Sequence, residues 1–564
     1  MNLCSPSLAN FDFMRLICLT ISTFFLIQIC DAQKPTEILS RPTDRSITLS
    51  VLFDEVVDCK VEYGTSPATL DKSISVKRSK PDTPVVFELD GLQADNGYFY
   101  RTLYKPPAKP TFTLGEIHRF HTQRNPGSAF IFCIEADEHL YDKKGVSSLY
   151  QLCLENQAKD SADFMISLGD TFGDDHTPLE TSSEDMKALH LDYRQYLGRV
   201  CHSMPFFFCL GNHEGESGYW LDQTPPNNIG VFGTLWRKFY YPNPAPNHFY
   251  SGNMIAEEHG MGLPENYYAF TWGDALFVVL DVYRDCDVDE KPKNWDWTLG
   301  QIQYDWFRLT LQNSNAHHKF VFAHHNRGQG RGGVIPAKGC EWGGYGNNGN
   351  GAWEFDKMRP GWELPIHKLM ERYGVDIFFQ GHDHLYAWEK LDGVIYQTLP
   401  MPSDSTYKIG VTDNGDAYSD VTMDGSGHLR VQVESDCVTV DYIAAFLPAD
   451  ESETLKNGTV RRSYQVGNCV TQTQDEDGQF SQQKQYHFYP NPTSDFIQVT
   501  ANSIKPYHRK IEIRSIEAST CDTGEISAGE ETAKLDIGNL SSGFYLIRII
   551  DQNNMTTHRI QIIK

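Results

Sequence analysis

The stretch VDIFFQGHDH, residues 375–384, sets an apolar run directly before two imidazoles one residue apart, His382 and His384. An apolar run of this length without polar alternation reads as a strand covered on both faces. Taken alone, G-H-x-H fits a surface turn as well as it fits half of a metal site. Four further runs repeat the arrangement. SAFIFCIEAD (128–137) leads to Asp137-x-His139, ADFMISLGD (162–170) to Gly169-Asp170, MPFFFCLGNHE (204–214) to Gly211-Asn212-His213-Glu214, and HKFVFAHHN (318–326) to His324-His325. Helical stretches such as 299–313 and 362–374 lie between them, so the middle of the chain reads as a layered α/β core. In open α/β sheets, ligands bind beyond the carboxyl ends of the strands.

These strand ends supply carboxylates, imidazoles and an amide oxygen. That donor set suits Mn, Fe or Zn, and neither calcium nor a structural thiolate zinc. Thirteen cysteines occur, ten of them beyond residue 32, with no C-x-x-C pair. Cys133 and Cys209 lie in apolar runs and read as buried thiols. Cys286 and Cys340 lie in loop-like sequence, where a disulfide is an option in an oxidising compartment.

The formal charge of −25 opposes nucleic acid except as a substrate, because phosphate contacts need a basic surface. It also repels any phosphorylated ligand unless bound cations reverse the field locally. Residues 1–32 read as a secretory signal, with an apolar run after Met14-Arg15 and cleavage after Ala32. The run is too short for a membrane span, and none is expected in the mature chain.

The five ordered motifs resemble those of the calcineurin-like metallophosphoesterases, whose pattern is D-x-H, G-D, G-N-H-E, H and G-H-x-H. The resemblance covers most of residues 126–440. It implies a four-layer α/β/β/α sandwich over 124–465 and two divalent or mixed-valence metal ions (Mn, Fe or Zn). Asp137, His139, Asp170 and His384 would hold the first ion, and Asp170, Asn212, His324 and His382 the second, with Asp170 bridging. A hydroxide between the metals would attack the phosphorus, with His213 as the catalytic histidine and Glu214 bracing it. His325 would face the substrate, and Arg327 or Arg331 in the following glycine-rich loop would meet a phosphate oxygen. Purple acid phosphatases carry a tyrosine where this chain has Gly173, so no ferric–tyrosinate centre is expected.

Residues 33–123 alternate in short strands rich in Tyr, Phe and Val, a β-sandwich pattern. The phrase FELDGLQADNGYFYRTLY resembles a fibronectin type III domain. Residues 466–485 read as a polar linker. From 486 to 564 the chain is β-rich again; YPNPTSDFIQV, GFYLIRI and the terminal Lys564 resemble the C-terminal sorting domain of the type IX secretion route. The combined expectation is a secreted or surface-attached phosphoric ester hydrolase acting on a small or polymeric phosphorylated substrate and exported by type IX machinery. Two rival readings are a catalytically silent surface-binding protein on the same fold and an extracellular nuclease or nucleotidase.

Overall fold

The computed structural model describes residues 34–142, 144–172, 180–221, 228–287, 292–326, 331–409, 417–469, 486–489, 496–501, 505, 507–515, 520–541, 543–551 and 554–562. The expected signal, most of the linker, Arg327 and Gly173 lie outside the described residues.

Two large sheets face each other in the middle of the chain. In the first, the strands Phe130–Glu135, Phe164–Ser167 and Phe206–Phe208 run parallel, with Ser167 paired to both Glu135 and Phe208. In the second, Ala275–Val279, His318–Phe322 and Ile377–Gln380 are parallel, with Phe322 paired to Val279 and to Phe379. Because each set is in step, the strand ends form one row per sheet.

The continuous apolar runs have a direct cause. One face of each strand packs between the sheets, where Phe132, Ile134, Phe164, Ile166 and Phe207 meet Phe277, Phe320, Phe322 and Phe379. The opposite face is covered by helices. Ser147–Asp160 and Ser183–Leu197 pack on the first sheet, and Gly300–Asn313 and Ile366–Arg372 on the second. The layers are therefore α/β/β/α. Phe132 has no exposed surface, and removing such a ring costs about 3–5 kcal/mol.

The strands between residues 36 and 121 build two sheets around a common core that includes Leu49, Val61, Phe87 and Tyr100. One of these sheets is not separate. Thr36–Ser40 pairs parallel to Phe206–Phe208, so three N-terminal strands extend the first large sheet to nine strands. Buried Arg194 rivets the junction, donating to the carbonyls of Thr36, Ser50 and Tyr240. The C-terminal strands form a three-stranded and a four-stranded sheet that enclose Ile497, Val499, Ile511, Ile513, Ile547 and Ile549.

The disulfide lies elsewhere than expected. Cys437 is bonded to Cys469, tying the edge strand Val460–Gly467 to its neighbour, whereas Cys286 and Cys340 are buried thiols. Cys286 packs among Tyr283, Trp295 and Trp297 instead. Among the described residues no helix is long and apolar enough to cross a membrane.

Candidate metal centre

Each strand turns sharply as it leaves its sheet, and the turns place the donors. Asp137, His139, Asp170, His382 and His384 all take positive φ, between 45° and 70°. Such strain in non-glycine residues collects at functional sites, where the surroundings over-determine it. Two of the motif glycines have a steric reason to be there. A Cβ on Gly211 would sit 2.3 Å from Asp170 Oδ1, and one on Gly381 2.5 Å from Asp137 Oδ2.

Backbone bonds then lock the loops together across both sheets. The amide of Asp137 donates to Gly169 O, that of His382 to Asp137 Oδ2 at 2.8 Å, and that of His213 to Asp170 Oδ1 at 2.9 Å. Three groups of candidate ligand atoms result: Asp137 with His139 and His384, His139 with Asp170 and His213, and Asp170 with His324 and His382. Asp170 Oδ2 lies 3.2 Å from His324 Nε2, 3.6 Å from His139 Nε2 and 3.8 Å from His213 Nε2. Asp137 Oδ1 lies 3.5 Å from His384 Nε2 and 3.8 Å from His324 Nε2.

The residues fit bound cations. Asp137 Oδ1, His139 Nε2 and Asn212 Oδ1 are buried polar atoms without a hydrogen-bond partner, an arrangement a metal ion would satisfy. Burial, helped by His384, pushes His139 down to about 4, and burial with His325 and His324 holds His382 well below its ordinary value. Both shifts favour the neutral imidazole, the form that keeps a lone pair for a ligand bond. Burial would also lower His324, but Asp170 and Asp137 beside it raise it to about 10. The field that favours a positive charge there is the field that would hold a cation.

Three side chains have protein partners that the sequence did not indicate. Glu214 accepts four backbone amides, from Asp170, Thr171, Phe172 and Gly211. It braces the two strand-end loops. His325 has no exposed surface, and its Nε2 is bonded to the carbonyl of Gly332, which ties the ring to that turn. Arg331 Nη1 is bonded to Asp383 Oδ1 and to the carbonyl of His382, both at 2.8 Å. Its charge is matched by Asp383 and its geometry serves the G-H-D-H turn.

Two positions other than the candidate ligands also matter. Asp142 Oδ2 lies 3.1 Å from His139 Nδ1, a carboxylate behind a ligand imidazole. Asp383 accepts from Arg331, from the Gly332 amide and from Tyr418 Oη. Both are visible in the sequence as acids within three residues of a candidate ligand, but that signal alone is weak.

A row of carboxylates and imidazoles on paired sheet ends in an α/β/β/α sandwich defines the metallophosphoesterase fold class. Residues 130–386 match the family model of the calcineurin-like phosphoesterase, and residues 487–564 that of the secretion system C-terminal sorting domain. The chain therefore carries a calcineurin-like phosphoesterase domain followed by a type IX sorting domain. No curated protein sequence matches it. Among solved structures it is similar to PhoD, with 16% identity over 78% of this chain and 93% of that one and a TM-score of 0.54. It is also similar to GAP50, the anchor in the inner membrane complex of Plasmodium, at 14% identity, 60% and 89% coverage and a TM-score of 0.33. A putative 5'-nucleotidase from Staphylococcus aureus gives 15% identity, 62% and 56% coverage and a TM-score of 0.30.

Proposed function

We propose that the chain is an exported phosphoesterase that works with two metal ions. The observation that carries this reading is the sharing of Asp170 between two groups of candidate ligands, one containing His139 and the other His324 and His382. Asp137, His139, His384 and Asp170 would hold one ion, and Asp170, Asn212, His324 and His382 the other. When bound, such a pair supplies an activated water and neutralises phosphoryl charge.

The protein's own groups do the rest. Asp170 sets the spacing of the two sites, since its Oδ1 is fixed by the amide of His213 while Oδ2 faces His324 and His139. His213 Nε2 stands 3.8 Å from Asp170 Oδ2, at the mouth of the centre with 12% of its side chain exposed. From there it holds a proton for the departing oxygen. The rigid loops, braced by Glu214, keep the donors in place before substrate arrives.

The sorting domain and the expected signal support export through the outer membrane, to the surface or the medium. The test is direct. Chain purified without its signal and supplied with Mn or Zn should bind close to two metals and hydrolyse aryl phosphate mono- or diesters. Failure to hydrolyse any of them would overturn the enzyme reading, and two bound metals without turnover would favour the silent binder. Hydrolysis confined to DNA or RNA would make it a nuclease.

A further inference from the structure

Tyr141 stands beside the centre without belonging to any of the ligand motifs. It is half-buried, its ring centroid 5.7 Å from that of His139 and 5.9 Å from that of His213. Its hydroxyl lies 3.3 Å from His139 Nδ1, and no other hydrogen bond of that hydroxyl occurs among the described residues. The same Nδ1 lies 3.1 Å from Asp142 Oδ2, and Asp142 is ion-paired with Lys144 at 2.9 Å.

Proton counting resolves the competition. His139 presents Nε2 to Asp137 and Asp170, so a ligand lone pair on Nε2 requires the ring proton to sit on Nδ1. A carboxylate can only accept, so Asp142 takes that proton. The tyrosine oxygen can then do no more than accept weakly from the same N–H, and its own hydroxyl proton has no acceptor among the described residues. A phenol keeps that proton at neutral pH, its ordinary pKa being about 10.

We propose that Tyr141 is a further catalytic residue, donating its hydroxyl hydrogen bond to a non-bridging phosphoryl oxygen of the substrate and of the phosphate product. The inference rests on the phosphoesterase reading. Phosphoryl transfer spreads charge over those oxygens, and catalysis there is mostly positioning and charge stabilisation. A fixed donor to an anionic oxygen is among the stronger hydrogen bonds available.

The test compares metal-loaded full-length wild type with Tyr141→Phe, which keeps the ring packing and removes only the hydroxyl. Inorganic phosphate binding is measured by calorimetry, kcat/KM on an aryl phosphate, and metal content by elemental analysis. The expected result is unchanged metal content, phosphate binding weakened about 10-fold or more, and kcat/KM lowered about 10- to 100-fold. Unchanged phosphate affinity would overturn the proposal, and so would loss of metal, which would make the tyrosine a mere support of His139. Asp142→Asn is the contrast: it should weaken metal binding and leave phosphate affinity intact at saturating metal. An equal loss of phosphate affinity in that variant would also count against Tyr141. If wild type bound phosphate but hydrolysed no ester, the enzyme reading would fail while the titration still judged the tyrosine.

Discussion

His213→Ala separates the two parts that a histidine can play in this centre. The ring of His213 is 5.0 Å from that of His139, edge to face, and its Nε2 is 3.8 Å from Asp170 Oδ2, close enough to stand in one of the candidate ligand groups. Its backbone amide is what fixes Asp170 Oδ1, at 2.9 Å. The alanine variant deletes the ring and keeps that amide, so Asp170 should stay where it is and both metals should remain. What disappears is the proton for the leaving oxygen, a loss of about 10²–10⁴-fold in turnover. At about 1.36 kcal/mol per tenfold, this is roughly 3–5 kcal/mol of transition-state stabilisation. The assay is a series of aryl phosphates whose phenols differ in acidity, run beside elemental analysis of the purified variant. The deficit should shrink as the phenol becomes more acidic, because a leaving group stable as an anion gains little from protonation. Loss of a metal would show that His213 is a ligand. Wild-type turnover, or a deficit independent of the leaving group, would refute its role as proton donor.

Three other perturbations have defined outcomes. Asp170→Asn removes the charge shared by both ligand groups, so at least one metal and all measurable turnover should be lost, checked by metal analysis and the same aryl phosphate assay. Glu37, buried at the junction with Tyr100 and His118, has its carboxyl raised to about 7 by burial. The folded protein therefore binds more protons than the unfolded chain between about pH 4.5 and 7. Stability from this group falls as pH rises through that window, so Glu37→Gln should gain on wild type by up to about 3 kcal/mol between pH 5 and pH 8 in denaturant unfolding. Reducing the Cys437–Cys469 bond, which closes a separation of 32 residues, should destabilise the edge strand by about 3–4 kcal/mol on loop-entropy grounds. Hydrogen exchange at 460–467 would read that loss.

The sequence by itself determined the catalytic core and the row of donors. Parallel strands buried on both faces must be apolar along their whole length, and the first polar residues after such runs must lie at the sheet edge, where backbone groups become free to turn. That is why Asp137, Asp170, Asn212, His324 and His382 could be placed together before any distance was known. Only the tertiary structure decided what each neighbouring group does. Glu214 is claimed by four amides from two loops, His325 by the Gly332 carbonyl, and Arg331 by Asp383. The N-terminal strands likewise read as a small β-sandwich, yet three of them extend the first large sheet, joined to it by the parallel pairing of Thr36–Ser40 with Phe206–Phe208. The Cys437–Cys469 bond depended on strand register at an edge, with nothing local to distinguish those cysteines from Cys286 and Cys340. In each case the outcome is a competition among partners far apart in the chain. A periodic pattern carries the burial of a segment, but it carries no record of which of several donors or acceptors lies nearest once the segments have packed.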